Sequence, residues 1–304
     1  MASIQDYIKL HILVFLWGFT AILGKLISIP AVEMVFYRTV MAAGGMALLL
    51  VASRKSFNAG RKDIILLLLT GSIVAVHWLT FFISGRVSNP STSLVGFATC
   101  SLWTALLEPL VKRRPVKALE VGLGIVVIAG LAVIFSLDFQ YPLGLLLGVA
   151  SGFTIAIFAV INSELVKRHD AYVITFYEMC GAAISIALFF PLYTSTWSVT
   201  GKLELTPTLV DWLWLAILAF VCTVYAYAAS IQLMKRLSVF TIQLTLNLEP
   251  VYGIVLALLV FGEKEVMSAG FYAGTIIILG AVFAYPAMKR LGSKTGSSSH
   301  GQAT

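Results

Sequence analysis

The chain has 304 residues, of which 59% are hydrophobic and 12% charged, against about 25% charged in soluble domains; its mean hydropathy is +0.95. Those proportions exclude a soluble globular protein, and ten spans of roughly 20 residues leave no room for a large extramembrane domain. The formal charge is +7, from 21 Lys and Arg against 14 Asp and Glu; in a chain this apolar the excess belongs to cytoplasmic loops, and no nucleic-acid partner is inferred.

Apolar runs predict helices at Tyr7–Ile27, Ala31–Ala52, Asp63–Ser84, Ser91–Val111, Ala118–Ser136, Tyr141–Asn162, Ala171–Tyr193, Asp211–Leu233, Ser238–Phe261 and Met267–Ala287. Barrel strands would alternate apolar and polar residues, and these runs do not. Met1 to Asp6 lacks a basic stretch, so the first run reads as a retained span rather than a cleaved signal. Residues 288–304, Ser/Gly-rich from Gly292, read as a disordered cytoplasmic tail. Cys100, Cys180 and Cys222 lie inside apolar runs without disulfide or metal spacing, so no metal and no cofactor is expected.

The connections after helices 2, 4, 6 and 8, with the C-terminal tail, hold fifteen Lys and Arg; the opposite set holds four, Lys25, Arg86, Lys202 and Lys264. By the positive-inside rule both termini are cytoplasmic and the protein is a multi-pass resident of the cell's inner (plasma) membrane. Arg86-Val87-Ser88 recurs as Arg236-Leu237-Ser238, and Gly124 and Gly130 recur as Gly274 and Gly280, all at one ungapped offset. Phe36-Tyr37-Arg38 recurs as Phe176-Tyr177-Glu178, and Gly18-Phe19-Thr20 as Gly152-Phe153-Thr154. The ungapped register pairs Thr99-Cys100 with Glu249-Pro250, against the tempting match of Leu107-Glu108-Pro109 to Leu248-Glu249-Pro250. Five helices per copy is an odd number, so the second copy enters the membrane upside down. The fold expected is an all-α integral membrane protein of ten transmembrane helices in two inverted repeats, 7–136 and 141–287, an arrangement typical of secondary transporters.

Leu248-Glu249-Pro250, followed by an apolar stretch ending in Gly262-Glu263, resembles the penultimate helix of EamA-type transporters of the drug/metabolite transporter superfamily. Leu16-Trp17-Gly18-Phe19 and Phe36-Tyr37-Arg38 are similar to that family as well. The first copy departs from it: helix 4 has Thr99-Cys100 where family members often carry a proline, and it ends in Lys112-Arg113-Arg114. The resemblance implies an exporter or facilitator of small metabolites, such as amino acids, nucleosides or amphipathic toxic compounds, with protons as a candidate coupling ion.

Charge inside a bilayer costs about 2.5–3.5 kcal/mol on insertion scales, so it needs partners or water. Glu249, followed by Pro250, reads as a proton or amine site or as one half of a structural pair. Arg38 reads as a carboxylate partner or a structural clamp. Glu178 is its inverted counterpart and enters from the other side, so a direct pair between them is not expected. His77, with Trp78, Phe81 and Phe82 beside it, suggests an aromatic cavity. Trp17, Trp103, Tyr225 and Tyr227 are further candidate liners, with packing or an interfacial anchor as the plainer role. Gln243 and Asn247, four apart, share a helix face that points inward. Gly144, Gly148 and Gly152 form a small-residue ridge for close packing. A membrane-embedded enzyme is the weaker reading, because no His-Glu-x-x-His or Gly-x-Ser-x-Gly motif is present, nor a Walker motif. A multi-subunit channel fits the repeat poorly. The partners expected are a small molecule and the lipid bilayer; a monomer would suffice, and a dimer is compatible.

Overall fold

The computed structural model describes residues 2–88, 90–135, 141–253, 256 and 269–298. Among them the chain is helical, with no strand. The helices are α1 (Ile4–Leu26), α2 (Ala31–Ala52), α3 (Arg61–Val87), α4 (Pro90–Phe97), α5 (Cys100–Val111), α6 (Ala118–Phe135), α7 (Pro142–Leu165), α8 (Ala171–Thr196), α9 (Leu209–Ala216), a π-helical segment (Ile217–Tyr225), α10 (Ala226–Leu233), α11 (Val239–Leu246) and α12 (Ala269–Ser298). Among the described residues, seven stretches are long and apolar enough to cross a membrane: Ile4–Gly24, Ala31–Ala52, Arg61–Val87, Thr92–Val111, Pro142–Leu165, Ala171–Thr196 and Leu209–Leu233. Gly262-Glu263 and Lys264 lie outside the described residues. The last helix runs to Ser298, into the tail expected to be disordered. Once a helix is nucleated, each added residue gains one backbone bond, so a polar tail can continue it.

Local chemistry sets several boundaries. Ser3 and Asp6 form a capping box at α1, and Thr208 and Asp211 form one at α9. Asp170 caps α8 by accepting the Tyr172 N–H at 2.9 Å, and Pro142 opens α7.

The molecule is apolar on its outside, and polar and charged groups lie buried within its apolar core. Leu48, Leu110 and Leu188 are 72%, 74% and 77% exposed, whereas Glu33, Arg38, Asn162, Glu178 and Asn247 are buried. In water such a surface would aggregate; in lipid it is the solvated face. Glycines set the closest approaches. A Cβ on Gly71 of α3 would overlap the Glu178 carbonyl oxygen of α8, and one on Gly181 would overlap that of Leu68.

Two helices are broken at related places. Turns at Ala98–Thr99 and at Asn247–Leu248 interrupt otherwise continuous helices. The second break precedes Glu249-Pro250, where proline cannot donate its backbone bond. The first has no proline. There Thr99 turns back on Gly96, whose carbonyl accepts the Thr99 N–H at 3.2 Å and its hydroxyl at 2.7 Å. The missing proline therefore does not remove the break. Each break meets a glycine of the other half: a Cβ on Gly18 would lie 3.0 Å from the Glu249 carbonyl oxygen, and one on Gly152 would lie 2.7 Å from that of Phe97. A second reciprocal pair joins the halves, because Tyr37 donates to the Leu205 carbonyl (2.9 Å) and Tyr177 to the Phe57 carbonyl (3.0 Å).

Ion pairs tie one set of loops together. Lys55 meets Asp170 at 2.7 Å, His169 and Arg168 meet Asp63 at 2.6 and 3.3 Å, Lys112 meets Glu164 at 3.6 Å, and Arg236 meets Asp6 at 3.1 Å. These are the loops expected to share the basic side. A separate group joins the others: Asp211 accepts from the Ser28 N–H and hydroxyl, both at 2.7 Å, and Arg86 donates to the Ile29 carbonyl at 3.0 Å.

Candidate functional site

A cavity of about 80 Å³ lies between the two halves. Its walls come from α1 (Trp17, Thr20), α2 (Arg38), α3 (His77, Trp78, Phe81, Phe82), α4 (Phe97), α7 (Ile155, Phe158, Ala159), α10 (Tyr227, Ser230), Met234 at the end of α10, α11 (Ile242, Gln243, Leu246) and Glu249 beyond the second break. Both halves contribute, and most of the wall is aromatic or aliphatic, as in sites that enclose small organic molecules.

Arg38 is 3% exposed. Its guanidinium carbon lies 3.8 Å from the centroid of the Trp78 ring, and its Nε donates to the Thr223 hydroxyl at 2.8 Å. Stacking on an indole face partly replaces lost water. Thr223 lies in the π-helical segment, whose widened turn brings that hydroxyl inward. Glu249, the opposite charge in the wall, makes no hydrogen bond and no ion pair among the described residues and is 7% exposed. One buried cation and one buried carboxyl therefore face the same cavity without closing on each other.

His77 is held by Ser151, whose hydroxyl lies 2.8 Å and whose carbonyl lies 3.1 Å from Nδ1. A protonated Nδ1 donates to the carbonyl and leaves Nε2 as the acceptor, whereas an unprotonated Nδ1 accepts from the hydroxyl and leaves Nε2 as the donor; in either tautomer Nε2 is the nitrogen left for other partners. Trp17 donates its indole N–H to the Cys222 carbonyl at 2.9 Å, which fixes the ring in the wall. Gln243 donates to the Ile155 carbonyl at 3.3 Å, while its Oε1 has no partner.

The structure thus brings Trp17, Arg38, His77, Trp78, Phe81, Gln243 and Glu249 together. It places four other candidates elsewhere. Trp103 is half-buried against Phe153, at 5.1 Å between ring centroids. Tyr225 is 51% exposed on the outer surface, whereas Tyr227 faces inward. Asn247 turns back on its own helix, donating to the Gln243 and Leu244 carbonyls at 3.0 and 3.3 Å. It therefore closes the break instead of lining the cavity. Glu178 is sealed behind the wall, bonded to Tyr227 and Asn162, and makes no ion pair with Arg38.

Sequence reasoning passed over Phe97, Phe158, Ser230 and Ser151. A signal was present for α7, where Ser151, Ile155, Phe158, Ala159 and Asn162 fall at helical spacing on one face. The choice of Tyr227 over Tyr225 had none, because a π turn resets the helical phase. Among the described residues no group of His, Cys, Asp and Glu could hold a metal ion.

A model of the EamA-like transporter family matches residues 7–136 and 142–285. A search of curated proteins finds no match. The fold is similar to that of a protein known from a crystal structure whose description states no function. The TM-score is 0.76 at 14% sequence identity, covering 95% of this chain and 99% of the other. At that identity the likeness bears on the fold alone.

Proposed function

The chain belongs to the EamA-like transporter family, whose members are membrane transporters, and from that premise we propose that it is a secondary transporter exporting small amphipathic organic molecules, amino acids or similar compounds, by alternating access. The observation that carries this reading is the shared cavity: aromatic walls, with Arg38 and Glu249 both facing it and unpaired with each other. Arg38 is the partner for a carboxylate, Glu249 for an amine, and the rings around Trp78 and Phe81 take the apolar part of the cargo. A guanidinium already stacked and held by Thr223 loses little freedom on binding, which favours affinity.

Ten spans in two inverted repeats, residues 7–136 and 141–287, fit the reciprocal glycine and tyrosine contacts. Cytoplasmic termini in the inner (plasma) membrane fit the ion-paired basic loops. One chain encloses the cavity, so a monomer suffices. The test is counterflow in liposomes, with labelled amino acids, nucleobases and amines offered separately. Saturable exchange of at least one zwitterion, competed by its unlabelled form, is the expected result. Ion current far above carrier turnover would instead support a channel, and absence of exchange for every class would contradict the reading.

A further inference from the structure

Resting on the transport reading above, we propose that Glu178 is the proton-binding site of the chain and that it exchanges its proton with the cavity through Tyr227, making the transporter a proton antiporter. Glu178 is fully buried. Its Oε2 accepts from the Tyr227 hydroxyl at 2.7 Å and from the Asn162 amide at 3.2 Å. Its Oε1 has no partner, and neither has Asn162 Oδ1. Among the described residues no Lys, Arg or His lies within ion-pair distance of it. An ionised carboxylate only accepts, so here it would leave one oxygen bare and a full charge without a counter-ion. A proton on the carboxyl removes the charge. Turning the Asn162 amide over exchanges a donor for an acceptor, so the same three residues suit either protonation state.

The elements packed against Glu178 supply nothing that would replace the proton. On α7 the facing group is Asn162, and on α10 it is Tyr227. On α3 the backbone at Gly71 closes against Glu178, and His77 is committed to Ser151. On α2, Arg38 is turned to Thr223 and Trp78, and Glu33 accepts from the Glu204 N–H.

Tyr227 is the link to the site, because it lines the cavity while its hydroxyl bonds Glu178. In loading, a hydronium in the cavity gives its proton to the Tyr227 oxygen as the tyrosine proton passes to the ionised Glu178, so that the carboxyl ends neutral and both tyrosine and water are unchanged. Unloading is the reverse. Cargo lying against Tyr227 expels the water that carries the proton, so Glu178 exchanges only when the cavity is empty. Antiport requires in addition that the loaded chain change sides with Glu178 ionised and the empty chain with it protonated, and the proton flux in the experiment reads that directly.

The experiment uses the full chain in liposomes with a trapped pH dye and labelled phenylalanine as the probe. An outward phenylalanine gradient should move protons inward. E178Q should keep phenylalanine counterflow and move no more protons than protein-free vesicles, and E178D should restore proton movement. Net phenylalanine efflux by wild type without proton movement, or proton movement undiminished in E178Q, overturns the proposal. If wild type exchanges no phenylalanine, or E178Q does not fold, infrared spectra of ligand-free wild type and E178D at neutral pH decide. A carboxylic-acid carbonyl band that shifts in E178D and exchanges with deuterium supports the site even where transport fails; a carboxylate at that position overturns it.

Discussion

Arg38 illustrates what one residue can and cannot reveal from sequence. A lone arginine in an apolar run announces a buried cation, and the run's start gives its depth. Its partners could not be read, because Trp78 and Thr223 come from distant segments and Thr223 is positioned by a π turn. The same holds for His77, legible as a polar group within an aromatic cluster, while Ser151 was not. Replacing Arg38 by Lys keeps the charge but loses the planar stack and the Nε bond. The expected cost is about 1–2 kcal/mol, roughly tenfold in apparent affinity for a carboxylate-bearing cargo in counterflow. An unchanged half-saturation concentration would mean that Arg38 only holds the fold.

At the scale of helices, seven of the ten expected apolar runs coincide with stretches long and apolar enough to cross a membrane among the described residues, because their length and composition are imposed by the bilayer. The sequence located the broken helices only where proline marked one. The break at Ala98–Thr99 rests on a hydroxyl and a close neighbour, which local sequence does not advertise. Glycine contacts give a sharp comparison. Gly71→Ala must displace backbone of α8, an overpacking cost of about 1–3 kcal/mol, whereas a Cβ on exposed Gly44 of α2 meets nothing within 4 Å. Gly44→Ala should leave thermal stability unchanged or raise it by about 0.5–1 kcal/mol, and Gly71→Ala should lower it; equal melting temperatures for the two would contradict the packing. The cap of α8 adds a pH dependence. Burial pushes the Asp170 carboxyl up, but the hydrogen bond and charge of Lys55 and the Tyr172 N–H outweigh it and hold its pKa below the usual range. A depressed folded-state value gives stability that is present above the unfolded pKa and is lost as pH falls through the folded one. Asp170→Ser keeps a cap without the charge. Its melting temperature should lie below wild type at neutral pH, and the gap should shrink in acid. A gap that holds in acid would remove the ion pair as its cause.

For the whole molecule, the repeat was visible as short matches in consistent order, and the family model matches the chain in two segments, 7–136 and 142–285; its inverted sense is part of the proposal. The structure adds reciprocal contacts: Gly18 against the second break and Gly152 against the first, with each of Tyr37 and Tyr177 bonding the loop that follows the other's helix. The cavity was less legible. Its wall draws on eight helical segments; Trp17, Arg38, Tyr227 and the clusters around His77 and Glu249 stood out in sequence, and the faces of α4 and α7 did not. The most direct test of the shared cavity as the transport site places a single cysteine at Ser230, which lines it, on a background with the three native cysteines replaced by alanine. A small thiol reagent should block phenylalanine counterflow by that variant, and unlabelled phenylalanine should slow the modification. Full modification at position 230 with counterflow undiminished would show that cargo takes another route.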